Sequence, residues 1–381
     1  MRLLHMGDLH LGKTLLEAPL LEDQAAFLQQ AAAVAAERQV DALLLAGDIY
    51  DRAVPSAEAV AVFSGFLEAL HDAGIPVLAI AGNHDSPERL AFGSRILSRE
   101  GTHLAGVYRG DIPRVVLRDG FGEVTVWLLP FLRPATVREA LGVEAATTHE
   151  AVAAALAAAP VDSTGRNVLV AHQFVCAFGA PPETCDSESV YVGGSDNVDA
   201  ALFDRFDYVA LGHLHRGQAV GRETIRYAGS PLKYSLSERS HRKSCPLITL
   251  GEKGDISVEL LPVPPVHDLR KVRGPIDELI AAGQRETEGR EDYIWAVLTG
   301  EPVLNPAEKL RRVYPRLLQV DVERPRAEQD ADAEEALPSP KSEEELFAAF
   351  FQQIQNKPLS EPQSALIADM LRSLREKEGL S

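Results

Sequence analysis

Through the first half of the chain, short apolar runs alternate with longer stretches whose apolar residues recur at helical spacing. Leu3-Leu4-His5-Met6, Ala42 to Ala46 and Val77 to Ile80 read as strands. Between them, residues 23–38 are Ala-rich and helix-prone, and Ser56 is placed to cap a helix that runs to about His71 and closes at Gly74. Near-continuous apolar strands separated by helices predict a sheet buried on both faces. The theme continues with a strand over 124–129, a helix over 149–159 and strands over 168–171 and 208–211. Runs at 246–250 and 256–261 follow without a long helix between them, which adds antiparallel pairing to an α/β pattern.

Pro262, Pro264 and Pro265 mark a boundary, after which residues 266–323 read as a small β-α-β-α-β unit. Its strands are expected near 267–272, 293–298 and 316–322, and its helices near 275–282 and 306–313. From Glu328 to Glu345 there are eight acids and one base, Lys341, interrupted by Pro338 and Pro340. That composition predicts a solvated linker. Two amphipathic helices are expected beyond it. Leu346, Phe347, Phe350, Phe351 and Ile354 share one face of the first; Leu366, Ile367, Met370, Leu371 and Leu374 share one face of the second, with Ser360 and Gln363 at capping-box spacing. The pair either folds back on the body or docks on another protein. The expected organisation is a body over 1–262, a small α+β domain over 263–323, a linker over 324–342 and a helical segment over 343–381.

A length of 381 residues suits two or three domains of about 100–200 residues. Lys and Arg number 38 against 56 Asp and Glu, a net charge of −18. This argues against a generic basic coat for nucleic acid, although the acidic linker carries much of the excess and leaves room for a local positive site. Cys176, Cys185 and Cys245 form no C-x-x-C pair, so neither a disulfide scaffold nor a cysteine zinc cluster is expected. With no apolar leader and no uncharged run near the ~20 residues of a membrane span, the expectation is a cytoplasmic protein in a reducing compartment.

The chemistry is concentrated at strand ends. Asp8 and His10 follow the first strand, Asp48 the second, and Asn83, His84 and Asp85 the third. His172 ends a fourth apolar run, and His213 and His215 follow a fifth. Open α/β sheets bind ligands beyond the carboxyl ends of their strands, so five segments direct oxygen and imidazole donors to one edge. Carboxylate, amide and imidazole without thiolate suit Mn²⁺, Fe²⁺ or Zn²⁺. Seven donor residues are too many for one ion and fit two ions sharing a carboxylate, the arrangement that clamps a phosphoryl displacement. Arg216, Arg222, Arg226, Lys233, Arg239, Arg242 and Lys243 cluster after the last motif. They read either as a track for a DNA backbone or as a solvated surface strip. Arg52 reads either as a phosphate contact or as an exposed loop residue, and His5, His71, His103, His149, His241 and His267 as structural or surface residues.

Asp8-Leu9-His10, Gly47-Asp48, Gly82-Asn83-His84-Asp85, His172 and Gly212-His213-Leu214-His215 together resemble the signature of calcineurin-like metallophosphoesterases. Met6 to Gly12, Ser86, and Tyr227-Ala228-Gly229-Ser230-Pro231 with Glu238 are most similar to the SbcD family of DNA-repair nuclease subunits. The resemblance implies two β-sheets sandwiched and flanked by helices, with 263–323 as a cap that helps hold DNA. It implies that Asp8, His10 and His215 hold one metal, that Asn83, His172 and His213 hold the other, and that Asp48 bridges. His84 then stands by the scissile phosphate, oriented by Asp85. The implied activity is Mn²⁺-dependent 3′→5′ exonuclease and hairpin endonuclease action on DNA. The implied partner is the SbcC ATPase, gripped by the C-terminal helices in a complex with two copies of each chain. Residues near 50–70 and 85–100 are the expected dimer surface, and the enzyme would work at the nucleoid. Rival readings are a phosphoesterase of the same superfamily acting on small phosphodiesters or phosphoproteins, and a scaffold with a vestigial site.

Overall fold

The computed structural model describes residues 1–177, 181–188 and 196–323, and beyond these residues 347, 351, 358–360, 363–368 and 370. The chain divides into two units, Met1–Glu323 and Arg324–Ser381.

Two six-stranded sheets dominate the first unit. One has the order Ile256–Pro262, Ser244–Leu250, Arg2–Met6, Ala42–Leu45, Val77–Ile80, Thr102–Ala105. Its last four strands run parallel, and the first two join antiparallel. The other has the order Gln218–Val220, Arg222–Tyr227, Tyr208–Gly212, Arg166–His172, Gly122–Leu129, Arg114–Asp119, with a parallel centre and an antiparallel strand at each edge.

The apolar runs are unbroken because alternate residues enter different cores. Leu3, Leu44, Ala46, Leu78 and Ile80 point inward and meet Val126, Leu128, Val168, Val170, Tyr208 and Ala210 of the facing sheet. Leu4, Met6, Leu43 and Leu45 point the other way, under Phe27, Leu28, Phe63 and Phe66 of helices Leu21–Glu37 and Ala57–Asp72. On the far side, Leu169, Ala171, Val209 and Leu211 lie under Val137 of helix Pro134–Leu141 and Val152 and Leu156 of helix Thr148–Ala158. The expected cap forms at Ser56, whose hydroxyl accepts from Ala59 N at 3.2 Å. A capping box between Thr147 and Glu150, not anticipated from the sequence, starts helix Thr148–Ala158.

Residues beyond the proline cluster build a separate all-parallel sheet, Leu269–Gly274, Tyr293–Leu298 and Leu317–Val322, covered by helices Ile276–Arg285 and Pro306–Arg311. Its other face is fastened to the body. Leu269 and Tyr293 pack with Leu15, Leu20, Leu232 and Tyr234. The Tyr293 hydroxyl donates to Asp23 Oδ2 at 2.6 Å, and His267 Nδ1 lies 2.6 Å from Asp23 Oδ1.

In the second unit, 363–368 are helical, and Ser360 N donates to Gln363 Oε1 at 2.9 Å, one half of the expected capping box. Leu366 and Met370 of the apolar stripe are 60% and 54% exposed. The linker 324–342 and the stripe residues Leu346, Phe350, Ile354, Leu371 and Leu374 lie outside the described residues. Among the described residues no helix is long and apolar enough to cross a membrane. The three cysteines are free thiols.

Candidate metal centre at the strand ends

The two sheets deliver their motifs to the same edge, and the chain turns sharply there. Asp8, His10, Asp48 and His213 all have positive φ, at 52°, 44°, 49° and 106°. This region is rare for residues with a Cβ and persists only where surrounding bonds enforce it. Backbone bonds do so: Asp8 N donates to Gly47 O at 3.0 Å and His10 N to Asp48 O at 2.9 Å. The flanking glycines are required by close approach. A Cβ on Gly82 would sit 2.1 Å from Asp48 Oδ1, and one on Gly212 would sit 1.9 Å from Ala46 O, where the sheets meet.

The donors converge on this edge. Asp48 Oδ2 lies 3.6 Å from His10 Nε2 and 3.2 Å from His172 Nε2, between the two groups. On one side His10 Nε2 and His215 Nε2 are 3.2 Å apart. On the other, Asn83 Oδ1 lies 2.9 Å from His172 Nε2 and 3.1 Å from His213 Nδ1. Donor atoms of Asp8, His10 and His215 fall within 4.8 Å of one another, as do those of Asp8, Asp48 and His172. Asp8, His10, Asp48, His172 and His215 are buried, whereas Asn83, His84 and His213 are partly open to solvent.

These residues fit divalent cations. Asp8 Oδ2 is buried with no hydrogen-bond partner, an arrangement that costs free energy unless a positive charge answers it. The tautomers are also set from behind. His172 Nδ1 lies 2.8 Å from Ala46 O and donates to it, so Nε2 faces the centre as a ligand. Ser187 Oγ donates to Glu238 Oε1 at 2.7 Å and therefore accepts from His215 Nδ1 at 2.7 Å, which leaves His215 Nε2 facing His10.

Electrostatics follow from crowding. Burial opposes charge on every group. Asp48 nevertheless stays well below the carboxylate range because His172, His10 and His84 surround it. Burial lowers the His172 imidazole, but Asp48 and Asp8 outweigh it and raise its pKa to about 9. Asp8, with less compensation, is pushed well up by burial. His213 and His215 are held down to about 3, mainly by burial.

One expectation is corrected. Asp85 does not orient the His84 ring. Its carboxylate turns inward and accepts from Gly82 N at 2.9 Å, Tyr50 N at 2.9 Å and Ile49 N at 3.1 Å, so it braces the two loops that carry Asp48 and Asn83. His84 Nδ1 instead lies 3.0 Å from Asp51 O, which leaves Nε2 free. The basic strip is not one surface track. Arg222 binds the carbonyls of Phe206, Phe203 and Asp207. Arg226 is buried against Glu223, Lys233 is paired with Asp268, Lys243 is buried against Glu238, and Arg216 pairs with Glu183. These cations are paired within the chain, although Arg226 Nε is buried without a partner; Arg216, Arg239 and Arg242 remain exposed.

Several supporting residues carry no signal in the sequence and emerge only from the fold. Glu188 Oε1 accepts from His215 N at 2.5 Å. Asp51 faces His10 Nδ1 at 3.4 Å and Lys13 Nζ at 2.8 Å. Gln24 donates to the carbonyls of Leu9 and His10. Arg52 is 82% exposed.

Known proteins match the chain across this site. The profile of the calcineurin-like phosphoesterase family matches residues 1–217, and that of the type 5 capsule protein repressor C-terminal domain matches residues 265–355. The D chain of the SbcCD nuclease of Staphylococcus epidermidis is 28% identical over 389 residues, across the whole of both chains. A Thermus thermophilus protein of known structure, TT1561, shares 12% identity over 68% of this chain and 98% of its own, with a TM-score of 0.39. A dimetal phosphatase from Danio rerio shares 12% identity over 69% of this chain and 96% of its own, with a TM-score of 0.40. The first profile covers more than half of the chain and every donor from Asp8 to His215. A divalent-metal centre lies at the meeting edge of two sheets, and the chain belongs to the calcineurin-like phosphoesterase family.

Proposed function

We propose that the chain is a metal-dependent DNA nuclease and acts as the SbcD component of an SbcC–SbcD complex in DNA repair. The observation that carries this reading beyond a general phosphoesterase is extent. Similarity to the staphylococcal nuclease chain runs end to end, through the small all-parallel sheet and the C-terminal segment that a small-substrate hydrolase does not need.

In this reading Asp8, His10 and His215 hold one ion, Asn83, His172 and His213 hold the other, and Asp48 bridges. Divalent ions held there, read as two Mn²⁺, would supply Lewis acidity and an activated water. The protein positions and shields the reacting groups. His84 is half-open to solvent, and its main chain is pinned by the bond from His84 N to Asp48 Oδ1 at 2.8 Å. With Nδ1 donating to Asp51 O, its Nε2 is the atom able to carry a proton to a leaving 3′ oxygen. Residues 263–323 serve as a cap against which DNA is held. The segment 343–381 docks on the coiled-coil base of SbcC, in a complex with two copies of each chain.

The test is cleavage of double-stranded and hairpin DNA by metal-stripped protein after Mn²⁺ or Mg²⁺ is restored, with His84→Ala alongside. Mn²⁺-dependent cleavage that falls by about 10²–10⁴-fold in the variant supports the reading. Hydrolysis of a small phosphodiester with DNA left intact, even with SbcC and ATP present, would replace it with a small-substrate phosphoesterase. Deleting 343–381 should abolish SbcC capture and spare cleavage of simple substrates.

A further inference from the structure

Beside the metal centre lies a cleft of about 450 Å³ that the chemistry above does not use. Asn83 forms part of its wall, so cleft and centre are continuous. Phe131 and Arg133 stand at one side, with the Arg133 guanidinium 5.9 Å from the centroid of the Phe131 ring. That ring and the His172 imidazole stand edge to face at a centroid distance of 6.2 Å, which ties the aromatic surface to the metal cluster. Tyr108 also lines the cleft, with Asp85 and Glu88; it is 4% exposed, and its hydroxyl is buried without a hydrogen-bond partner. A buried hydroxyl left unpaired is costly, and a ligand that bonds to it removes the cost.

We propose that this cleft receives one unpaired nucleobase adjacent to the scissile phosphate, stacked on Phe131 and hydrogen-bonded by Tyr108. The proposal rests on the nuclease reading and names the substrate feature the site selects. The volume lies in the range of small-molecule sites. Its chemistry, an aromatic ring with a guanidinium over one face and a buried hydroxyl in the wall, is that of pockets that hold a base withdrawn from the helix. A base inside a duplex offers no free face to such a pocket. The preferred substrates are therefore frayed ends, hairpin loops and other places where a nucleotide unstacks at low cost. Arg133 lies where the adjoining phosphate would pass.

The experiment uses the full chain with Mn²⁺ and paired DNA ends that differ only at the nucleotide beside the cleaved bond, intact in one and abasic in the other. Wild type should cleave the intact end with a kcat/KM about 5- to 150-fold higher. Phe131→Leu should compress that ratio toward one, and Tyr108→Phe should reduce it partway. A 2-aminopurine at the same position, bound to the His84→Ala protein, should change its emission on binding and lose the change when Phe131→Leu is added. Equal cleavage of intact and abasic ends by wild type, or an unaltered ratio in Phe131→Leu, overturns the proposal. If wild type hydrolyses bis(4-nitrophenyl) phosphate but neither DNA, the nuclease reading falls and the base site falls with it.

Discussion

Glu238 offers a sharp test of how the centre is supported. Its carboxylate is fully buried and accepts from Ser187 Oγ at 2.7 Å, Tyr234 N and Ser235 Oγ at 3.1 Å, and Lys243 Nζ at 2.6 Å. Lys243 is 7% exposed and also donates to His215 O at 2.9 Å and Ser230 Oγ at 2.8 Å. At an effective dielectric constant near 20, the Coulomb attraction at this separation is about 6 kcal/mol, and desolvation of the two ions cancels most of it. Glu238→Gln keeps the shape but turns an uncompensated ammonium into the interior, which should cost about 3–5 kcal/mol. Lys243→Met strands the carboxylate with a similar cost. The double variant removes both charges and should recover most of the loss. Urea unfolding followed by tryptophan fluorescence at pH 7 gives the three values. Burial alone would raise the Glu238 pKa; His215 and Lys243 outweigh burial and hold it well below its unfolded value of 4.5. A depressed carboxylate contributes its stability in full above pH 4.5, and the contribution is lost as pH falls through the folded value. The gap between wild type and Glu238→Gln should therefore narrow in acid. Strict additivity of the two single losses would refute the account of a coupled ion pair.

Other outcomes follow from the same geometry. Ser187→Ala breaks the link from Glu238 to His215 and should weaken Mn²⁺ binding by about 10–100-fold in calorimetry, with circular dichroism unchanged. Gly82→Ala forces a Cβ to within 2.1 Å of Asp48 Oδ1 and should abolish tight binding of at least one ion, as counted by Mn²⁺ electron paramagnetic resonance. Leu44→Ala opens a cavity between the sheets and should destabilise the first unit by about 2–5 kcal/mol in urea. Restoring Mn²⁺ to stripped protein at about 100 times its dissociation constant should stabilise it by about 2.7 kcal/mol in a thermal scan.

Much of this was legible because alternation and punctuation are local. Leu3-Leu4, Leu43-Leu44-Leu45 and Val168-Leu169-Val170 are apolar on consecutive residues, which only a sheet with cores on both faces requires. The donors fall where such strands stop. The supports were not legible, because they depend on which way a side chain turns and on contacts between distant loops. Asp85 follows His84 in sequence, yet its carboxylate answers the backbone N–H groups of Gly82 in its own loop and of Ile49 and Tyr50 in the next. The basic residues crowded between Arg216 and Lys243 suggested a surface, but Arg222 and Lys243 are consumed inside by carbonyls and a carboxylate. Strands at Thr102–Ala105 and Arg114–Asp119 went unread because their side chains are only half covered, and the apolar signal fades with burial.

The two central carboxylates share a division of labour. Asp8 Oδ1 accepts from His213 N at 2.8 Å, and Asp48 Oδ1 accepts from His84 N at 2.8 Å. In each case one oxygen locks the neighbouring motif's backbone and the other faces the centre: Asp8 Oδ2 without a partner, and Asp48 Oδ2 between His10 and His172. Positive-φ conformations at Asp8, His10, Asp48 and His213 cost of order 1–3 kcal/mol each and need such locks. An asparagine at position 8 can keep the lock, by turning its carbonyl oxygen to His213 N, but then presents an NH₂ to the imidazoles. Asp8→Asn should thus fold like wild type and lose ion binding, whereas Asp8→Ala should lose ion binding and also speed hydrogen exchange at the amide of His213. Equal exchange at that amide in the two variants would show that the lock is not made by Asp8 Oδ1.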